Sequence, residues 1–198
     1  MEEKLSYMIE WWTKEHELMI EQGFTKRTIE TAVGESGIAF RERCTQVFDL
    51  LEGKSVPTLI FSAGLYDVIH AVLDKEYKKT PAQKIPSNVH MISYMMQFDE
   101  SGKVVDFKGE HEQERIGTEF WKQCQLEEHR NILLLGDSLG DANIADGLDF
   151  TEDEIVRIGF LNSGAGEKLD LYMQRFDIVL TNDSSLLPLE VLLHQFKA

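Results

Sequence analysis

The sequence predicts an α/β fold, a mostly parallel sheet with helices between its strands, preceded by a helical segment. Three observations predict it. Apolar residues in the first 52 positions recur at helical spacing. From residue 54 onward, short apolar runs alternate with helical patterns. Two of those runs end in glycine-containing turns that lead towards helices, Ser62-Ala63-Gly64 and Gly136-Asp137-Ser138.

In chain order, Leu5, Met8, Ile9, Trp12, His16 and Met19 give the stripe of a first helix, which Gly23 ends. Thr25 is an N-cap for a second helix through Val33. Phe40, Cys44, Val47, Phe48 and Leu51 give a third, ended near Gly53. Val56 to Phe61 reads as a strand, and Tyr66 to Tyr77 as the helix that follows it. Val89 to Phe98 and Val104 to Phe107 form a hairpin around the turn Asp99-Glu100-Ser101-Gly102-Lys103. A helix is expected from Thr118 to Leu126. Asn131 to Leu135 has the continuous apolar character of a buried parallel strand, with a helix expected from about Ala142. Val156 to Leu161 and Ile178 to Leu180 are further strands, and Glu167 to Gln174 and Leu186 to Gln195 further helices. The domain division that follows is 1–52, helical, and 53–198, α/β.

The chain has 198 residues, with 20 Lys+Arg against 35 Asp+Glu and a formal net charge of −15. Such a charge argues against nucleic acid or an anionic membrane as a partner. No apolar run approaches the ~20 residues of a membrane helix, and the acidic N-terminus has no signal or transit character. Two cysteines, Cys44 and Cys124, are too few for a disulfide framework. A cytosolic setting is expected. Oligomeric state is not legible.

Chemistry is expected where parallel strands end, because ligands of open α/β sheets bind outside the carboxyl ends of the strands. Asp137 is the first residue past its strand, and Asp141 follows four residues on. Two convergent carboxylates suit Mg²⁺, which is held by one or two carboxylates together with water and substrate phosphate. The plainer reading makes Asp137 a turn residue and Asp141 a helix cap. Ser62 offers a hydroxyl beside backbone N–H groups at a helix start, the makings of an anion site, or else an N-cap. His16 falls on the apolar stripe and is expected to be packed there. Trp11 and Trp12 are adjacent and so face different ways on a helix; one of them could stack on a base.

Phe61-Ser62-Ala63-Gly64 and Leu135-Gly136-Asp137-Ser138-Leu139-Gly140-Asp141 resemble the second and fourth motifs of the haloacid dehalogenase superfamily. The segments Glu10-Trp11-Trp12-Thr13-Lys14, Met96 to Gly102, Phe107-Lys108-Gly109-Glu110, Ala145-Asp146-Gly147, Arg157 to Asn162, Tyr172-Met173 and Phe176 to Leu180 resemble the cytosolic 5′-nucleotidase III family. The resemblance runs from about Leu5 to about Phe196. It implies a Rossmann-like core with a helical cap, and Mg²⁺-dependent hydrolysis of nucleoside 5′-monophosphates, pyrimidine or 7-methylguanosine ones. It maps phosphate binding onto Ser62 and Ala63, the Mg²⁺ ligand onto Asp137, its supporting acid onto Asp141, and base stacking onto Trp12. A tryptophan there suits the cationic 7-methylguanine ring.

Two departures from the family pattern stand beside the resemblance. The family's nucleophile lies in an Asp-x-Asp-x-Thr motif at the end of the first, central strand. No aspartate of this sequence is followed by another at the second position. The resemblance thus implies a chain that starts inside the cap, lacks that strand, and is inactive and unstable by itself. The family also carries a phosphate-neutralising lysine in a longer segment after the position of Glu110. Lys108, Arg115 and Lys122 are the nearby cations here, none in the matching context. The rival readings are a non-catalytic nucleotide- or partner-binding module, and a phosphatase of the same superfamily acting on another small phosphate ester.

Overall fold

The computed structural model describes residues 2–108, 129–146 and 148–196. The expected helix over Thr118–Leu126, the acidic stretch Glu110 to Glu114, Arg115, Lys122 and Cys124 lie outside the described residues. The fold class is α/β, as the alternation of elements requires. The chain divides into two compact units.

The first unit holds the described residues of 1–40 and 48–108. Helix α1 (Glu2–Glu21) ends at Gly23, whose φ of 66° only glycine adopts freely; the Phe24 N–H then reaches the Met19 carbonyl at 3.1 Å. Helix α2 (Lys26–Glu35) is capped by Thr25, whose hydroxyl accepts from the Thr28 N–H at 3.0 Å. Helix α3 (Cys44–Gly53), whose first four residues fall in the second unit, starts later than the apolar pattern suggested, leaving Phe40 ahead of it. Strand β1 (Thr58–Leu65) runs parallel to β2 (Val89–Phe98), joined by α4 (Tyr66–Tyr77). Strand β3 (Val104–Lys108) returns antiparallel to β2, giving the order β1-β2-β3. The hairpin turn is held by Asp99, whose Oδ1 accepts from the Ser101 N–H, the Ser101 hydroxyl and the Lys103 N–H.

The helices α1 and α2 pack on the sheet as well as on each other. Ile29 and Val33 of α2 are buried together with Met96 and Val104 of the hairpin, flanked by Met19, Phe24 and Val72. The apolar faces of α1 and α2 need a partner, and the sheet supplies it. Lys75 of α4 adds a polar tie, donating to the carbonyls of Val33 and Ser36, both at 2.9 Å.

The second unit holds residues 41–47 and the described residues of 129–196. Strands β4 (Ile132–Gly136), β5 (Ile155–Leu161) and β6 (Ile178–Thr181) form a parallel sheet in that order. Strand β5 is central and almost wholly buried, which explains its unbroken apolar run. Helix α5 (Ala165–Met173) crosses from β5 to β6, and α6 (Leu187–Gln195) follows β6. The core gathers Leu134, Ala142, Ala145, Ile155, Leu161, Tyr172 and Phe176. Arg41 ties the 41–47 segment to this unit through Asp183 at 2.7 Å and Asn162 at 2.6 Å.

Among the described residues, the helix expected from about Ala142 is absent. After Asp141 the chain makes a single 3-10 turn, Asp141–Asn143, closed by bonds three residues back such as Ile144 N–H to the Asp141 carbonyl at 3.0 Å. The Ala142 carbonyl, which an α-helix would give to residue 146, accepts instead from Arg157 Nε at 3.0 Å. Asp146 bonds Asn143 in its place.

Candidate functional site

At β1 the register against β2 is regular from Thr58↔Val89 to Phe61↔Ile92 and resumes at Leu65↔Tyr94. Ser62, Ala63 and Gly64 thus span a bulge that opens inside the strand rather than a turn after it. The Ser62 hydroxyl accepts the Gly64 N–H at 3.1 Å, which leaves its own proton for an incoming acceptor. The Ser93 hydroxyl donates to the Gly64 carbonyl at 2.5 Å and fixes the far side of the bulge. Ser62 is not the cap of α4. That position is Leu65, without a side-chain bond. The bulge leaves Ala63 and Gly64 exposed and Ser62 half-buried.

Trp12 lies in the same unit. Its ring is 5.9 Å from that of Tyr94, the residue of β2 that pairs with Leu65 at the end of the bulge. His16 stacks on Phe107 at 3.9 Å with the rings 6° apart, and meets Tyr94 edge-on at 5.5 Å. His16 is therefore packed, as its place on the apolar stripe predicts. Trp11 is 62% exposed. Tyr94 thus links the aromatic cluster around Trp12 to the Ser62 bulge. The sequence reading did not single it out, since an aromatic residue in a strand carries no signal beyond strand propensity.

In the other unit, β4 delivers Asp137 directly past its carboxyl end. Asp141 Oδ2 accepts from the N–H groups of Asp137 and Ser138, both at 2.9 Å. Asp141 therefore closes the turn rather than capping a helix. Gly136 is required by this closure, because a Cβ there would meet Asp141 Oδ2 at 2.8 Å. The Asp137 carbonyl accepts from the Tyr172 hydroxyl at 2.7 Å. Tyr172 is buried, and its ring stacks on Phe176 at 5.5 Å. The Asp137 side chain is exposed and has no hydrogen bond or ion pair among the described residues.

A carboxylate fixed through its backbone but left unsatisfied at a strand end has the chemistry of a hard-cation ligand. Among the described residues, no group of three or more His, Cys, Asp or Glu could hold a metal. Asp137 could contribute one carboxylate to a hard cation that keeps most of its waters, as Mg²⁺ does. Lys108, at the end of β3, is exposed. Among the described residues, no helix is long and apolar enough to cross a membrane.

The sequence model of the family described as pyrimidine 5′-nucleotidase (UMPH-1) matches residues 1–197. The 7-methylguanosine phosphate-specific 5′-nucleotidase of Mus musculus is 36% identical over 191 residues, covering 94% of this chain and 61% of the relative. Its counterpart in Gallus gallus is 37% identical over 193 residues, covering 94% and 64%. A crystal structure of cytosolic 5′-nucleotidase IIIB bound to cytidine superposes with a TM-score of 0.78 at 31% identity, covering 98% of this chain and 66% of that one. The chain thus spans about three-fifths of the length of the curated relatives it matches, with a core of the haloacid dehalogenase type. On these grounds the chain belongs to the pyrimidine 5′-nucleotidase (UMPH-1) family.

Proposed function

We propose that this chain supplies the nucleotide- and metal-binding parts of a Mg²⁺-dependent 5′-nucleotidase, a phosphoric monoester hydrolase acting on nucleoside 5′-monophosphates of the pyrimidine or 7-methylguanosine kind. The observation that carries the reading is the exposed Asp137 carboxylate, without a partner among the described residues, on a turn closed by Asp141. Asp137 would hold Mg²⁺, with Asp141 supporting it. The ion would draw the substrate phosphate towards the turn and offset its charge, a need sharpened by the chain's net charge of −15. Within the first unit, Ser62, with its hydroxyl proton available, and the Ala63 backbone would offer contacts to phosphate oxygens. Trp12 would stack on the base beside Tyr94. The 7-methylguanosine phosphate specificity of the related nucleotidases and the cytidine in the related crystal structure support this substrate class. A cytosolic location rests on the likeness to cytosolic 5′-nucleotidase IIIB.

The sequence holds no Asp-x-Asp-x-Thr. An aspartyl-phosphate step needs that nucleophile, so this chain by itself is expected to bind substrate with little or no turnover. The test is calorimetric titration with CMP and 7-methyl-GMP, with and without Mg²⁺, alongside a phosphate-release assay. Mg²⁺-dependent nucleotide binding, weakened about tenfold or more by Asp137→Asn and by Ser62→Ala, is the expected result. Binding that ignores both substitutions would sink the assignment of the site. Robust phosphate release abolished by Asp137→Ala would overturn the expected inactivity.

A further inference from the structure

Asp137 is gripped on both sides of its Cα. Its N–H donates to Asp141 Oδ2 at 2.9 Å, and its carbonyl accepts from the Tyr172 hydroxyl at 2.7 Å. The next N–H, of Ser138, also goes to Asp141 Oδ2. The two peptide planes that set the direction of the Asp137 Cα–Cβ bond are therefore both held. Asp141 holds one, and Tyr172 with Asp141 the other. An exposed aspartate on a glycine-rich turn would otherwise sample many directions.

Tyr172 is suited to such a task. It comes from α5, thirty-five residues away in sequence, and is only 7% exposed. Its ring is held against Phe176, and Phe176 in turn packs against Gly159, where a Cβ would come within 2.7 Å of the ring. Gly159 is the register partner of Gly136, the residue before Asp137. The hydroxyl is thus carried on a side chain with no room to swing, and it meets the backbone of the residue that the site depends on.

We infer that Tyr172 is a positioning residue of the metal site, orienting the Asp137 carboxylate through its backbone carbonyl. The inference rests on the assignment of Asp137 as the metal ligand. Groups that orient a metal ligand typically set metal affinity by 10- to 100-fold, and loss of this one hydroxyl is expected at the lower end.

The experiment is Mn²⁺ binding to the full chain, followed by electron paramagnetic resonance at a temperature well below unfolding, with near-ultraviolet circular dichroism as the check on folding. The variants are Asp137→Asn, Tyr172→Phe and Phe176→Leu. Tyr172→Phe keeps the ring and removes only the hydroxyl, so it is expected to stay folded and weaken Mn²⁺ about tenfold. Phe176→Leu loosens the same packing without touching the hydrogen bond, and is expected to lower Tm while leaving affinity within about twofold. Equal losses in the two variants, or none in Tyr172→Phe, would overturn the positioning role while Asp137→Asn still weakens binding. Binding that survives Asp137→Asn, or is absent in the unaltered chain, overturns the metal-site assignment and this inference with it. A second measurement uses the unaltered chain. Labelled at the tyrosine ζ-carbon, it should show a shift of the Tyr172 resonance on Mg²⁺ addition, and no shift counts against the inference.

Discussion

Two glycines face each other across the β4–β5 ladder, Gly136 and Gly159, and each leaves room for a side chain that the site needs. Gly136 admits Asp141, and Gly159 admits Phe176. Gly136→Ala is expected to lower stability by about 1–3 kcal/mol in urea unfolding, the usual cost of inserting a methyl group into filled space. Further along, Glu154 accepts from the Thr151 N–H at 2.8 Å and from its hydroxyl at 3.0 Å. These bonds, the backbone one foremost, hold the Glu154 carboxyl below the ordinary glutamate range. A carboxyl lowered in the folded state stabilises above its unfolded value, and that contribution is lost as pH falls through the folded value. The Tm difference between the unaltered chain and Glu154→Gln should therefore be present at pH 6 and shrink from about pH 4 downward. A difference independent of pH would show that the ionised form is not what matters.

At the level of elements, the reading of α1, α2, α4, β2 and the hairpin followed from local rules. Thr25 and Gly23 mark ends that the backbone must make somewhere, and both act where the sequence places them. The helix expected after Asp141 failed because a distant side chain decided the outcome: Arg157, nearly buried on β5 and paired with Glu152 at 2.7 Å, takes the Ala142 carbonyl. The bulge at Ser62 was read as a turn for a similar reason, since register against β2 is a property of two strands and not of one. Lys75 gives a test at this scale. Its amine serves the carbonyls at the end of α2 from α4. Lys75→Met keeps the stem and removes the donor, leaving the Val33 carbonyl to the Ser36 hydroxyl alone and the part-buried Ser36 carbonyl without this bond, and is expected to cost about 1–3 kcal/mol of stability by thermal unfolding.

Across the whole molecule, each compact unit carries its own three-stranded sheet, and β1 and β4 are edge strands of those sheets among the described residues. Strand β4 is apolar throughout, and Leu135 is 38% exposed. Exposed apolar edges recruit other strands, and charge at an edge suppresses this. Leu135→Lys is therefore expected to reduce concentration-dependent association in sedimentation velocity; unchanged association would place the sticky surface elsewhere. The division into units also differs from the boundary at residue 52 that composition suggests. Composition registers where helices give way to strands, whereas contacts register which apolar faces cover one another, and α1 and α2 cover the hairpin.

By itself the sequence determined the α/β class, the order of nearly all the described elements, the family, and the residues proposed for the phosphate, the metal and the base. These follow from periodicity, capping and glycine placement, which act over a few residues, and from motifs that are contiguous in the chain. Only the tertiary structure decided how those residues are held. Asp141 is a clasp rather than a cap, Tyr94 joins Trp12 to the Ser62 bulge, and Tyr172 reaches Asp137 from another helix. Each of these relations joins groups that the fold brings within a few ångströms, and a hydrogen bond formed across that gap leaves no trace in the spacing of residues along the chain.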